Sequence, residues 1–312
     1  MEKLYRLVEA AGICFSAYGV AVGVRVNEPG TLEMLRVRLP PGARHQEPRP
    51  VGKLYSFHLN RGQGHRGLRR FHTVYSNDRI LLRSENEHDL YEEFERDVDS
   101  YIAETSTVRF FVHAGVVGWK GRAIVVPGRS YSGKTTLVAE FLRAGAAYYS
   151  DEFAVFDKNG YVHPFSRPLG VRVEAHDRQT RRAAGEFGCG IAEKPLRVGL
   201  VILTEYQKSA SWRPRVTSPG RGVLELLANS LSARTNPASA LRFLTRASEK
   251  VCFLRGARGE ASEVVRKVRE RFAIRFPAAL GGQHRELGQR SQEGSAQSVQ
   301  AEAHRRSGAR IQ

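Results

Sequence analysis

The octapeptide Gly128-Arg129-Ser130-Tyr131-Ser132-Gly133-Lys134-Thr135 fits the spacing G-x-x-x-x-G-K-[ST] and follows directly on the apolar run Ala123–Val126. A loop of this kind wraps its backbone N–H groups around a polyphosphate. Gly128 and Gly133 let the backbone approach the anion and take up positive φ. Lys134 supplies a cation for the β- and γ-phosphates, and Thr135 offers a hydroxyl to Mg²⁺. The helix expected over Lys134–Ala144 turns its positive end toward the same anion. Arg129, Ser130, Tyr131, Ser132 and Thr136 complete the stretch expected to line the nucleotide. A chance glycine-rich turn is the competing reading, and the strand before and helix after argue against it.

Three more polar residues stand at informative distances. Asp151 and Glu152 come one helix, one Gly145 turn and one short strand after Lys134, a length that can return both acids to the mouth of the loop. His113 lies on the strand Phe110–Val117, which the return strand Arg122–Val126 sets beside the same mouth. Phosphoryl transfer needs a cradle for the phosphates, a carboxylate for the metal and a base for the attacking hydroxyl. Two adjacent acids can divide the last two tasks. Alone, Asp151-Glu152 has a solvated turn as its alternative reading, whereas His113 alone reads first as a satisfied core histidine. Arg167, in Pro164-Phe-Ser-Arg-Pro168, is a candidate phosphate clamp, with a structural surface role as the alternative.

Together, Val112-His113-Ala114-Gly115, the phosphate loop and Ser150-Asp151-Glu152 resemble the catalytic domain of the bacterial HPr serine kinase/phosphorylase family. They are still more similar to the diverged HPr-kinase-like proteins often encoded beside peptide-modification genes. The resemblance covers roughly residues 108–255. It implies a phosphoenolpyruvate-carboxykinase-like nucleotide-binding fold, with ATP and Mg²⁺ as cofactors. It also implies roles: Lys134 on the β/γ-phosphates, Thr135 and Glu152 on the metal, Asp151 as the base and His113 as a helper near the acceptor or γ-phosphate. Ser130 falls on the family's loop serine. Tyr131 stands where the family has glycine, Glu152 replaces an aspartate, and Thr136 takes the place of an acidic residue. No segment matches the phosphorylase half-reaction, so phosphorylase activity is not expected, and HPr itself is not the expected substrate.

The elements that must position these residues form an α/β chain with a mixed α+β sheet. Residues 1–95 read as a small mixed α+β region for partner or substrate recognition. It has alternating strands at Val20–Val26, Lys53–Leu59, Phe71–Tyr75 and Ile80–Leu82, and a Pro/Gly-rich loop over Pro40–Pro50. A helix over Asn86–Glu104 carries Leu90, Phe94 and Val98 at helical spacing. Residues 96–276 hold the phosphate-loop domain. Beyond the loop, Phe153–Asp157 and Tyr161–His163 flank an expected two-residue turn at Asn159-Gly160. Strands are expected at Leu196–Leu203, Arg213–Thr217 and Val251–Leu254, and helices at Gly222–Leu231, Pro237–Glu249 and Ala261–Phe272. Residues 277–312 lose their large apolar side chains and read as a disordered tail. Within it, Leu280-Gly-Gly-Gln283 is a decoy for the ABC-ATPase signature.

Composition narrows the function classes. With 312 residues and 41% apolar content the chain can build a real core. No apolar run is long enough to span a membrane, and no signal-peptide layout opens the chain, so the cytoplasm is the expected compartment. Cys14, Cys189 and Cys252 are too few and too scattered for a disulfide framework and read as small buried residues. The formal net charge of +17 is spread through every segment, which argues against a nucleic-acid module. The expected function is an ATP/Mg²⁺-dependent kinase acting on a serine-type hydroxyl of a protein or peptide. A non-catalytic ATP-binding accessory or sensor protein and a kinase of a small-molecule hydroxyl are the alternatives. Homo-oligomerisation is expected by analogy alone.

Overall fold

The computed structural model describes residues 10–61, 69–128, 132–172 and 179–275. The expected tail at 277–312, its Leu280–Gln283 decoy, and Arg129, Ser130 and Tyr131 of the loop lie outside them.

Strict alternation of Val20, Val22, Val24 and Val26 buries one face of a strand, and a six-stranded sheet forms around it. Its elements are β1 (Ala11–Ala17), β2 (Val20–Val26), the short helix α1 (Thr31–Arg36), β3 (Arg44–Gln46), β4 (Lys53–His58), β5 (His72–Ser76) and β6 (Arg79–Ser84). The spatial order is β3-β1-β2-β4-β5-β6, with β2–β4 parallel and the other neighbours antiparallel. Tyr18 and Gly19, both at positive φ, make the tight β1–β2 turn. Helix α2 (Glu87–Thr105) starts at Asn86, whose side chain accepts the His88 N–H. It lays Leu90, Phe94, Val98 and Ile102 into the sheet's core, so the boundary expected near residue 95 falls inside one packed helix. That core also takes in Phe111, Phe153, Val155 and Phe165 from further along the chain.

The second sheet is built from β7 (Phe110–Trp119), β8 (Arg122–Pro127), helix α3 (Lys134–Arg143), β9 (Ala147–Ser150), β10 (Phe153–Phe156) and β11 (Tyr161–His163). A separate hairpin follows, β12 (Leu169–Arg172) with β13 (Gln179–Arg182). Then come β14 (Leu196–Tyr206), β15 (Arg215–Val216), helices α4 (Pro219–Ala228) and α5 (Pro237–Ala247), β16 (Cys252–Arg258) and α6 (Ala261–Arg275). Among the described residues the order is β11-β10-β7-β8-β14-β16-β15, with β9 also on β7. Strands β8, β14 and β16 run parallel and the rest pair antiparallel, which makes a mixed sheet in an α+β chain. Residues up to Arg266 make one compact unit, and a second starts at Lys267. Of that second unit, the described part is the helical stretch to Arg275.

Alternation along β7 decides which side chains can meet the phosphate loop. Phe110, Val112, Ala114 and Val116 enter the core that includes Leu226 of α4 and Leu244 of α5. Phe111, His113 and Gly115 face the other way, where α3 lies. A Cβ on Gly115 would sit 2.5 Å from Val138 Cγ2 and 3.9 Å from Lys134 Cβ, so the missing side chain lets α3 settle on the strand. Gly115→Ala is expected to cost about 1–3 kcal/mol through overpacking. Urea unfolding of the variant checks this, and an unchanged midpoint contradicts the packing argument.

Two sequence expectations need correction. The Asn159-Gly160 turn is one residue longer than expected, because Asp157 N–H bonds Tyr161 O while Asp157 Oδ1 accepts from the Asn159 and Tyr161 N–H groups. The aspartate's own hydrogen bonds select the longer turn over a two-residue one. Of the three cysteines, Cys14 and Cys252 are buried, but Cys189 is half-buried in an irregular stretch, where its Sγ–H reaches Ala184 O at 3.2 Å.

Candidate functional site

Strand β8 ends at Pro127, and Gly128 N–H donates to His113 O at 3.2 Å, which anchors the loop's first residue to β7. At the other end Gly133 holds φ +79° immediately before the first turn of α3, a conformation that glycine adopts without strain. Lys134 and Thr135 open the helix, as the loop spacing requires. The Lys134 ammonium donates to Gly128 O at 2.6 Å and is nearly buried, with 8% exposure. Burial pushes its pKa below the usual lysine value, while Glu152 and Asp151 oppose that shift. Ser132 Oγ is buried without a hydrogen-bond partner, and a Cβ on Gly128 would lie 2.5 Å from it. Thr136 is exposed on the first turn of α3.

The two acids reach this loop through a break in a strand pair. β9 and β10 both run antiparallel to β7, with Ser150 opposite Val116 and Phe153 opposite His113. Asp151 and Glu152 bulge out between them. Ser150 Oγ holds the bulge by accepting the Glu152 N–H at 3.1 Å and the Phe153 N–H at 2.9 Å, while Ala114 N–H donates to Glu152 O. The acids therefore sit opposite Ala114 and Gly115, beside the start of α3.

Asp151 is 7% exposed. Its Oδ2 accepts from the Thr135 hydroxyl and from the Gly170 N–H, each at 3.3 Å, and Tyr148 Oη lies 3.1 Å from its Oδ1. Tyr148 Oη is also 2.7 Å from Arg167 O, so one phenolic proton serves two acceptors. Burial first, and then the neighbouring Glu152 charge, push the Asp151 carboxyl up to about 6. Glu152 differs in that its side chain is half exposed and its Oε1 lies 3.5 Å from His113 Nδ1. Burial raises the Glu152 pKa while the Lys134 charge pulls it down. Burial and then Lys134 lower that of His113, which favours neutral imidazole. The His113 ring rests against Phe153, with centroids 4.9 Å apart.

His113, Lys134, Thr135, Asp151 and Glu152 thus meet at one mouth, with the acids distributed differently from expectation. The buried Asp151 touches the threonine hydroxyl, whereas the acid beside His113 and open to solvent is Glu152. The cause is local, because Ser150 bonds the next two amides and sends successive side chains to opposite sides of the bulge.

Arg167 also departs from the clamp expectation. Its Nε and Nη2 donate to the two Asp99 oxygens at 2.8 and 2.6 Å, and Nη1 donates to Arg38 O and Leu39 O, both at 3.0 Å. Glu95 lies 3.5 Å away and also pairs with Arg181 and Arg38. A guanidinium spent on two buried carboxylates of α2 is structural. Its backbone oxygen, bonded by Tyr148, remains part of the acid's surroundings.

Sequence reasoning missed Tyr148 and Arg258. Tyr148 carried no usable signal, since alternation through Ala147-Tyr-Tyr-Ser-Asp151 sets it on the face opposite Asp151, and the bulge after Ser150 brings the two together. Arg258 carried none that stood out among 49 lysines and arginines.

The described residues contain no cluster of three or more His, Cys, Asp or Glu side chains able to hold a metal ion by themselves. A hydroxyl beside one carboxylate still suits Mg²⁺, which keeps several waters and takes its remaining oxygens from phosphate. No described helix is long and apolar enough to cross a membrane. No protein-family model matches the chain, and no curated protein does either.

Proposed function

We propose that the protein is an ATP- and Mg²⁺-dependent kinase that transfers the γ-phosphoryl group to a serine-type hydroxyl of a protein or peptide. The observation that carries this reading is the meeting of Lys134, Thr135, Asp151, Glu152 and His113 at the Gly128–Thr135 loop. The residues fit the nucleotide: a glycine cradle that a Cβ would fill, a left-handed Gly133, an orphaned Ser132 hydroxyl and a buried ammonium. Thr135 and Asp151 would hold Mg²⁺, which supplies charge neutralisation on the phosphates.

Lys134 draws the β/γ-phosphates to the start of α3 and offsets the charge that develops during transfer. Glu152, reachable from solvent and backed by His113, takes the proton of the acceptor hydroxyl as its oxygen attacks the γ-phosphorus, the bond from that phosphorus to the β,γ-bridging oxygen breaks, and ADP leaves. The resemblance assigns the base to Asp151. We assign it to Glu152 because Asp151 is buried against Thr135, while an incoming acceptor needs an accessible carboxylate. The phosphoenolpyruvate-carboxykinase-like fold belongs to the same proposal and is supported by the phosphate loop opening from a mixed sheet.

Incubation of the purified chain with γ-labelled ATP, Mg²⁺ and a panel of serine-containing peptides and proteins tests the reading. Label is expected on a serine. Binding of ATP without label transfer to any hydroxyl, peptide or small molecule, refutes the kinase.

A further inference from the structure

Arg258 ends β16 at the edge of the sheet where β8 delivers the phosphate loop, because β8, β14 and β16 run parallel. Ligands in such sheets collect at the carboxyl ends of the parallel strands. The residue is 2% exposed. Its Nη2 donates to Gly133 O at 2.9 Å and Nη1 to Gly259 O at 3.1 Å, while Nε is buried without a hydrogen-bond partner. The guanidinium carbon stands 5.5 Å from the Tyr206 ring centroid, at the end of β14. Among the described residues it makes no ion pair with a carboxylate, and the acid whose charge acts on it is Glu260. Gly133 is also the residue that admits it, since a Cβ there would fall 2.2 Å from Nη2.

A buried cation without a carboxylate is costly, and this one lies against the positive end of α3, next to Lys134. Lys134 has two acids to offset it, whereas Arg258 has two carbonyls and the single acid Glu260 beyond ion-pairing distance. The Gly133–Lys134 peptide is planar, so a carbonyl held by Arg258 and Leu137 N–H on one side sends the Lys134 N–H to the other, away from the body of α3.

We propose that Arg258 is a positioning residue of the polyphosphate site: its guanidinium fixes the Gly133 peptide so that the Lys134 N–H faces the anion, and its charge, held without a direct ion pair, is neutralised when polyphosphate binds. This deepens the phosphate-loop reading and rests on it.

Calorimetry with ATP and with inorganic tripolyphosphate, on the full chain and on Arg258→Met and Arg258→Lys, provides the test, together with ligand-free melting curves. Arg258→Met is expected to weaken both ligands by about 10- to 100-fold. Its ligand-free melting temperature is expected to hold or rise, since an unpaired buried charge is gone. Arg258→Lys should recover part of the affinity, because it keeps the charge but not the two-carbonyl grip. A methionine variant that binds tripolyphosphate as tightly as the unaltered protein overturns the role of Arg258. So does one that melts earlier yet keeps the full ligand-induced rise, the behaviour of a merely structural residue. If that chain does not fold, Arg258→Gln, which keeps a donor for Gly133 O without the charge, is judged by the same affinities. An unaltered protein that binds neither ligand overturns the phosphate-loop reading itself, which separates the two failures.

Discussion

Glu152→Gln is expected to lower phosphoryl transfer by about 100- to 10,000-fold, the usual worth of a positioned general base, and to leave ATP binding nearly unchanged. The amide keeps the size of the side chain and its place beside His113, 3.5 Å away, but cannot accept the hydroxyl proton. Asp151→Asn should behave differently. It retains a group next to the Thr135 hydroxyl but loses the negative charge on the metal side, so the Mg²⁺-dependent part of ATP binding falls. Single-turnover transfer combined with nucleotide titrations at several Mg²⁺ concentrations separates the two variants. If Asp151→Asn abolishes transfer with metal dependence intact while Glu152→Gln stays active, the acids hold the roles implied by the family resemblance instead.

The second large effect concerns stability. Arg167→Met leaves Asp99 and Glu95, both nearly buried on α2, without their shared cation and is expected to destabilise the fold by about 3–5 kcal/mol. That is a large part of a domain's usual stability of about 5–15 kcal/mol. Arg167→Met combined with Asp99→Leu should recover part of the loss, because the stranded charge is removed with its partner. Urea unfolding of the single and double variants measures this. A single variant as stable as the parent would falsify the structural role. Since Arg167 O also meets Tyr148 Oη, and Gly170 N–H meets Asp151, disturbance of this network should reach the acid of the site.

Much of the fold was legible in the sequence because the core strands and helices keep their periods. The valines of β2, the apolar i, i+4, i+8 set of α2 and the strand–loop–helix run through Lys134 all occupy the elements expected. The short strands β3, β12 and β13 were not legible, since a strand of three or four residues shows too few alternations to stand out from loop sequence, and the seven-residue β1 and six-residue helix α1 were missed as well. In the site, spacing alone was enough to nominate His113, Lys134, Thr135 and both acids. It could not say which acid would face which partner, because a hydroxyl bonding two amides at Ser150 decides that. It also could not separate Arg167, tied to buried acids, from Arg258, bonded to two carbonyls, since both depend on contacts across distant parts of the chain.

The most direct measurement is a calorimetric titration of ATP with Mg²⁺ into the unaltered protein and into Lys134→Ala. Saturable binding is expected for the first and a loss of at least about 30-fold for the second, because a nearly buried ammonium is removed from its anion. No binding to the unaltered protein, or equal binding to both, contradicts the claim that this loop holds a polyphosphate.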